Sequence, residues 1–211
     1  MSKLFFEILD AQRREIFAML TKLPRGGVLG GGTALALQLG HRQSYDFDIF
    51  YSSEIKKTQL DALRKIFGRR LTSVLVDTAN ELTVSIDGEI KITLLHYPFK
   101  PLFALVRPER SIPMLSVRDG AANKAYTIGR RGVWRDYVDM FFVLRDHLSI
   151  STVIADAIKK FEGVFSEKLF LEQLVYFKDI TSFQIEFVGK KISSEHIKKF
   201  FMTTVKGHTK Y

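Results

Sequence analysis

The 211-residue chain has no cysteine, one tryptophan and five prolines. Without cysteine there is no disulfide framework, no thiolate zinc site and no thiol nucleophile. Long apolar runs are also missing: no stretch of about 18 apolar residues occurs, so a transmembrane helix is not expected. The first 17 residues carry Glu7, Asp10 and Glu15 among their apolar side chains, unlike a secretory signal. The expectation is a soluble, cytoplasmic protein that makes no membrane contact. Several catalytic signatures are absent as well. There is no G-x-x-x-x-G-K-[ST] phosphate loop, no G-x-S-x-G elbow and no H-x-x-x-H pair, so a P-loop NTPase, a serine hydrolase and a zinc hydrolase lack support.

What is present is the composition of a folded protein, 46% hydrophobic and 26% charged. The 32 Lys and Arg residues outnumber 23 Asp and Glu, for a net charge of +9. A basic surplus points to polyanions such as nucleic acids or nucleoside triphosphates without choosing between them. It is spread along the chain, with no basic tail.

Hydrophobic spacing predicts an amphipathic helix over residues 4–21, broken by Pro24-Arg25-Gly26-Gly27. A short strand at Val28-Leu29 leads into Gly30-Gly31-Gly32. A helix follows from Thr33 to Leu39, with Thr33 as expected N-cap and Gly40 as stop. Asp46 to Phe50 alternates acidic and apolar residues like a two-faced strand. A helix at 54–67 precedes three strands at 71–76, 82–86 and 90–96, and Asp87-Gly88 is a hairpin signal between the last two. Ser116, with Asp119 three residues on, starts a helix to about Arg130, and a second runs from Trp134 to Leu148. The rest is mostly helical, with an extended piece at Phe183 to Val188. The expected class is α+β, a mixed sheet flanked by helices with a helical C-terminal portion. The expected division is a core at 1–115 and a helical part at 116–211 that completes the site.

The chemistry-bearing stretch is Leu29 to Phe50. Asp46 and Asp48 stand at i and i+2 on one strand, so both carboxylates project from one face and repel each other. A divalent cation relieves that repulsion, and hard oxygen ligands suit Mg2+ or Mn2+. The Gly31-Gly32-Thr33 turn offers free backbone N–H groups at a helix N-terminus, a site for phosphate, with the Thr33 hydroxyl as an added donor. A phosphate cradle 13 residues before a metal-binding acidic pair is equipment for nucleotidyl or phosphoryl transfer. Asp136 and Asp139, at i and i+3, share a helix face. By itself that second stretch reads more simply as a solvated charged face. His41 reads as a solvent-exposed loop residue, and His96, His147, His196 and His208 are isolated.

Gly31-Gly32-Thr33-Ala34-Leu35 followed by Arg42-Gln43-Ser44-Tyr45-Asp46-Phe47-Asp48 resembles the AbiEii nucleotidyltransferase toxin family, a branch of the DNA polymerase β-like superfamily. A second block agrees: Lys124, Arg130-Arg131 and Arg135-Asp136-Tyr137-Val138-Asp139. The two blocks span about residues 28–145, and the C-terminal 60 or so residues add nothing to the resemblance. It implies the nucleotidyltransferase fold, with an NTP as substrate. Asp46 and Asp48 would hold Mg2+, and Gly31, Gly32 and Thr33, with Arg42 and Ser44, would bind the nucleotide. Lys124 would neutralise the triphosphate, while Asp136 and Asp139 would serve as catalytic acids. An RNA acceptor, tRNA included, or a protein acceptor is implied, as is an antitoxin partner.

One departure stands out. The superfamily usually carries a third carboxylate on a later strand, and the expected position, near Thr93, is uncharged. Glu89 shares a face with Thr93 but lies roughly 13 Å along the strand. Either Asp136 or Asp139 supplies the charge, or two carboxylates suffice, or the chain is a nucleotide-binding or interaction module with turnover lost.

Overall fold

The computed structural model describes residues 3–209. Five strands form one mixed sheet: β1 (Val28–Leu29), β2 (Phe47–Tyr51), β3 (Leu71–Asp77), β4 (Glu81–Ile86) and β5 (Ile90–His96), in the order β1-β2-β5-β4-β3. β2 and β5 run parallel, and the other neighbours are antiparallel. The β4–β5 hairpin turns at Asp87 (φ 53°) and Gly88 (φ 85°), two left-handed residues whose twist matches the strands they join. Eight α-helices are described: α1 (Ala11–Met19), α2 (Gly31–Leu39), α3 (Lys57–Phe67), α4 (Val117–Ile128), α5 (Trp134–Asp146), α6 (Ile150–Lys160), α7 (Glu167–Leu174) and α8 (Ser194–His208). None is long and apolar enough to cross a membrane.

The single helix expected over 4–21 is instead a 3-10 turn at Phe6–Ile8, then α1, then another turn at Leu20–Lys22. Asp10 makes the break. Its side chain accepts from Arg13 N at 2.8 Å and caps α1, an option that apolar spacing does not reveal. Thr33 is not an N-cap: α2 begins two residues earlier, Gly30 occupies the cap position, and Gly40 closes the helix at φ 66°. Ser116 caps α4 as expected, its Oγ accepting from Asp119 N at 3.1 Å.

Strand periodicity divides the sheet into two chemically different faces. Phe47, Ile49, Ile92, Leu94, Leu82 and Val84 are all fully buried on one side, in a core shared with α1 and α3. A second core is built from α4 to α8. α2 lies between the two. Ala34, Ala36 and Leu37 pack into the first core and Leu35 into the second, which explains a helix with almost no polar residue.

The second core contains one fully buried ion pair, Lys160 Nζ to Asp119 Oδ1 at 2.8 Å. Asp119 also accepts from Leu102 N (2.9 Å), Phe103 N (3.1 Å) and Ser116 Oγ (3.1 Å), so it pins the loop after β5 to α4 and α6. Every lone pair that faces protein has a donor, which is what permits a dry carboxylate. Asp119→Ala should therefore lose about 3–5 kcal/mol in urea denaturation, because Lys160 is left buried without its partner. A loss under about 1 kcal/mol would show that water reaches the pair.

Candidate active site

The polar face of the sheet carries the acidic pair. Asp48 pairs with Thr93 on β5, and Thr93 pairs with Thr83 on β4, so these three side chains form a row across three adjacent strands. Asp46 precedes β2, and its Oδ1 accepts from Lys91 N at 3.2 Å. Both carboxylates line a cavity of about 290 Å³ together with Gly32, Thr33, Ser44, Lys91, Thr93, Lys124 and Asp136. Burial pushes the Asp48 carboxyl above its ordinary 3.8; Lys124 pulls it back, and Asp46 adds to the rise.

α2 starts against the acidic strand. Gly30 N donates to Asp48 O at 2.8 Å, which sets the helix N-terminus beside the carboxylates. Gly31 sits at φ 61°, and a Cβ there would collide with Asp48 Oδ2. At Gly32 a Cβ would meet the Arg42 guanidinium. Glycine is required at both positions by contact. The Gly30 cap has no side chain to engage the first amides of α2, which leaves them for an anion. The Thr33 hydroxyl is not an additional donor to that anion. It donates to Asp46 O and is within 2.7 Å of Ser44 Oγ, so Thr33 and Ser44 brace the start of the acidic strand.

Behind the cavity lies a buried charge cluster on Asp139, which is fully excluded from solvent. Arg42 donates to it twice, through Nε to Oδ1 at 2.7 Å and through Nη2 to Oδ2 at 2.9 Å. Lys124 Nζ lies 2.7 Å from Oδ2 and 2.5 Å from Asp136 Oδ1, and Arg131 Nε donates to Asp136 Oδ2 at 3.0 Å. Burial alone would raise the Asp139 pKa, but Arg42 and Lys124 hold it well below the usual carboxylate range. Lys124 is likewise opposed by burial, yet Asp139 and Asp136 keep it above its ordinary value, hence charged.

This arrangement corrects three expectations. Asp139 does not face the cavity and cannot supply the missing third charge, since its oxygens are filled by Arg42, Lys124 and His41. Arg42 lines the cavity but closes its fork on Asp139 and donates Nη1 to Gln43 O, so it braces the site instead of gripping a phosphate. His41 is not a solvent-exposed loop residue. It is 2% exposed, with Nε2 at 2.8 Å from Asp139 Oδ1 and its ring against Phe142. Asp136 does reach the cavity, although Lys124 and Arg131 neutralise it. Arg130 leaves the site, stacked over Tyr126 and donating to Val164 O.

Lys91, Arg131 and Arg135 line the cavity rim with their side chains toward solvent; sequence reasoning placed Arg131 and Arg135 in the second block but missed Lys91. It also missed the task of the C-terminal segment. Gln43 N donates to Glu186 O (2.8 Å) and Val188 N to His41 O (3.1 Å), so residues 186–188 clamp the loop that delivers Asp46. The same segment and the start of α5 enclose a cleft of about 1000 Å³, which shares Arg42, Tyr45, Val133 and Arg135 with the smaller cavity.

No group of three or more His, Cys, Asp or Glu residues is placed to hold a metal among the described residues. Two adjacent carboxylates lining one cavity still fit Mg2+, which commonly takes one or two protein carboxylates and fills its shell with water and substrate phosphates. They do not fit zinc.

Two consequences follow for stability. Gly31→Ala should lose about 1–3 kcal/mol in urea denaturation from its left-handed φ alone, with the Asp48 collision adding to it; an unchanged midpoint would contradict the close approach. Burial keeps His41 neutral below its ordinary 6.5, against the pull of Asp139. As pH falls through about 6.5 the unfolded chain takes up a proton that the folded chain refuses, so stability is full above that value and declines below it. The slope attributable to His41 is at most about 1.4 kcal/mol per pH unit. His41→Gln, measured by denaturation between pH 7.5 and 5, should flatten that decline, and an identical slope would contradict the assignment.

Comparison with known proteins agrees with this geometry. Residues 21–204 match the family model described as nucleotidyl transferase AbiEii toxin, type IV TA system, so the match runs well past residue 145 and includes most of the C-terminal helices. An uncharacterized protein of Aquifex aeolicus (strain VF5) is 31% identical over 184 residues, covering 84% of this chain and 85% of its own. Among solved structures, the nucleotidyltransferase toxin MenT4 of Mycobacterium tuberculosis H37Rv superposes with a TM-score of 0.57 at 13% identity, over 92% of this chain and 82% of its own. JHP933 from Helicobacter pylori gives 0.51 at 14% identity, over 98% and 96%. The antibiotic-resistance factor ANT(2'')-Ia gives 0.50 at 15% identity, over 70% and 90%. At these identities the structures establish the shared fold. The chain belongs to the AbiEii nucleotidyltransferase toxin family, and it is a nucleotidyltransferase.

Proposed function

We propose that the protein transfers a nucleoside monophosphate from an NTP to a hydroxyl on an RNA, tRNA being one such acceptor, in a Mg2+-dependent reaction that releases pyrophosphate. The observation that carries this reading is that Asp46 and Asp48 line one cavity with Gly32 and Thr33 at the uncapped N-terminus of α2.

Asp46 and Asp48 would hold the metal, which when bound supplies charge neutralisation and polarisation at the reacting phosphate. The amides of Gly31, Gly32 and Thr33 would receive phosphate oxygens. Lys124 acts from below, its ammonium fixed by Asp136 and Asp139 and its field directed at the same cavity. Lys91, Arg131 and Arg135 complete the positive rim, in the position to meet the leaving phosphates. Such preorganised charge need not reorient as the transition state forms, which is where electrostatic catalysis gains most.

The larger cleft is the approach for the acceptor. It adjoins the smaller cavity at Tyr45, Val133 and Arg135, has room for a nucleoside, and offers Phe183 and Phe187 beside Arg135 and Lys191. Aromatic faces with neighbouring cations suit the bases and phosphates of a single-stranded end. The +9 net charge would draw such an acceptor in, with affinity that weakens as salt rises. The toxin–antitoxin setting of the family supplies the remaining partner, an antitoxin, and a cytoplasmic location goes with it.

The test is incubation with each α-labelled NTP, Mg2+ and total RNA. Transfer of label to RNA is expected, with a loss on the order of 10²-fold or more in Asp46→Asn and Asp48→Asn variants that retain the wild-type melting temperature. Label on protein instead of RNA would replace the acceptor, and transfer undiminished by both substitutions would overturn the site.

A further inference from the structure

If the cavity carries out nucleotidyl transfer, the acceptor hydroxyl must lose a proton, and among the described residues lining the cavity no carboxylate is free to take it. Asp46 and Asp48 are committed to the metal in that reading. Asp136 is neutralised by Lys124 and Arg131, and Asp139 is sealed off. The strand position that faces Asp48 is Thr93, a hydroxyl that is half-buried and lines the cavity.

Thr93 does not stand alone. Its Oγ1 lies 3.3 Å from Thr83 Oγ1, and Thr83 Oγ1 lies 2.7 Å from Glu81 Oε1. Thr83 has one hydroxyl proton, and the shorter bond, to the Glu81 carboxylate, takes it. The heavy-atom geometry of the 3.3 Å contact suits Thr83 as donor, but with its one proton on Glu81 the contact is closed by the Thr93 proton instead. The chain of donors therefore runs one way, from the cavity to Glu81. Thr83 is buried, so water does not short-circuit the chain. Glu81, at the end of β4, is half-buried, and Thr83 is the sole partner of its carboxylate among the described residues.

We propose that Thr93, Thr83 and Glu81 form a proton exit for the transfer reaction, with Glu81 supplying from the next strand the charge missing at position 93. The acceptor oxygen attacks the α-phosphorus, and the bond from that phosphorus to the bridging oxygen breaks, so pyrophosphate leaves with the electron pair. The acceptor proton passes to Thr93 Oγ1 while the Thr93 proton passes to Thr83 and the Thr83 proton to Glu81. Both threonines end as hydroxyls, and Glu81 ends protonated at the solvent edge, where it returns the proton to water. Long contacts such as the 3.3 Å step commonly tighten when a substrate is bound. Thr93 is the group that touches the acceptor; Thr83 and Glu81 act through it.

The inference rests on the nucleotidyl-transfer reading, and one set of variants separates the two. Transfer from labelled NTP to RNA is measured under saturating NTP, alongside the KM for NTP and the melting temperature. Glu81→Gln keeps the shape and removes the charge, and it should lower kcat on the order of 10²-fold with KM unchanged. Thr93→Val should lower kcat similarly, and the double variant no further, because both substitutions cut one path. Thr93→Asp placed in the Glu81→Gln background should recover most of the rate, because the carboxylate then faces the acceptor directly. Wild-type kcat in Glu81→Gln overturns the proton exit while leaving nucleotidyl transfer intact. So does a loss that Thr93→Asp fails to recover. Absence of transfer by the wild-type protein to any acceptor overturns both.

Discussion

The site depends on a carboxylate that never touches it. Asp139 is fully buried, and that is tolerable only because Arg42, Lys124 and His41 bring four contacts within 3 Å of its two oxygens. Those donors come from the loop before β2 and from α4, while Asp139 itself is on α5. One buried anion therefore ties together the segments that position the acidic pair, the lysine and the cleft wall. Removing two charges from water is expensive, and the balance closes because the cluster is close to neutral: Asp136 and Asp139 against Lys124 and Arg42, with Arg131 added from the rim. Pairs of this kind contribute little net stability compared with apolar packing. What the cluster contributes is geometry, and the tight approach of Arg42 to Gly32 shows how little slack remains between it and the α2 turn.

Around that hub the sheet does two separate jobs. One face is apolar and builds the first core; the other presents Asp48, Thr93 and Thr83 in a line. The parallel pairing of β2 with β5 is what places position 93 opposite Asp48, and the sequence puts an uncharged threonine there. The glycine turn contributes by what it lacks. With no side chain at Gly30, Gly31 or Gly32, the helix N-terminus can come up against the Asp48 carboxylate and keep its amides uncapped.

Much of this was legible in the chain itself. Alternating residues after Tyr45 marked the two-faced strand, Asp87-Gly88 marked the hairpin, and the order of Gly31-Gly32-Thr33, Asp46-x-Asp48, Lys124 and Asp136-x-x-Asp139 marked the family. Periodicity reports which face a residue shares, however, and not whether that face meets solvent or a second core. Asp139 and His41 were therefore misplaced, the first as a site acid and the second as a surface histidine. Thr33 was misread because its hydroxyl has a choice between a ligand and the backbone of Asp46, and only the fold makes that choice. The clamp by residues 186–188 on the Arg42 loop had no local signal beyond a short extended pattern, since its partner lies more than 140 residues away.

The central claim is that nucleotide and metal occupy the cavity between the α2 N-terminus and the acidic strand. A crystal structure of the protein with Mg2+ and a non-hydrolysable NTP tests it most directly. The account predicts metal bound to Asp46 and Asp48, phosphate oxygens on the amides of Gly31 to Thr33, and the Asp139 cluster unmoved. Nucleotide bound elsewhere, with Asp46 and Asp48 left without a metal, would contradict it.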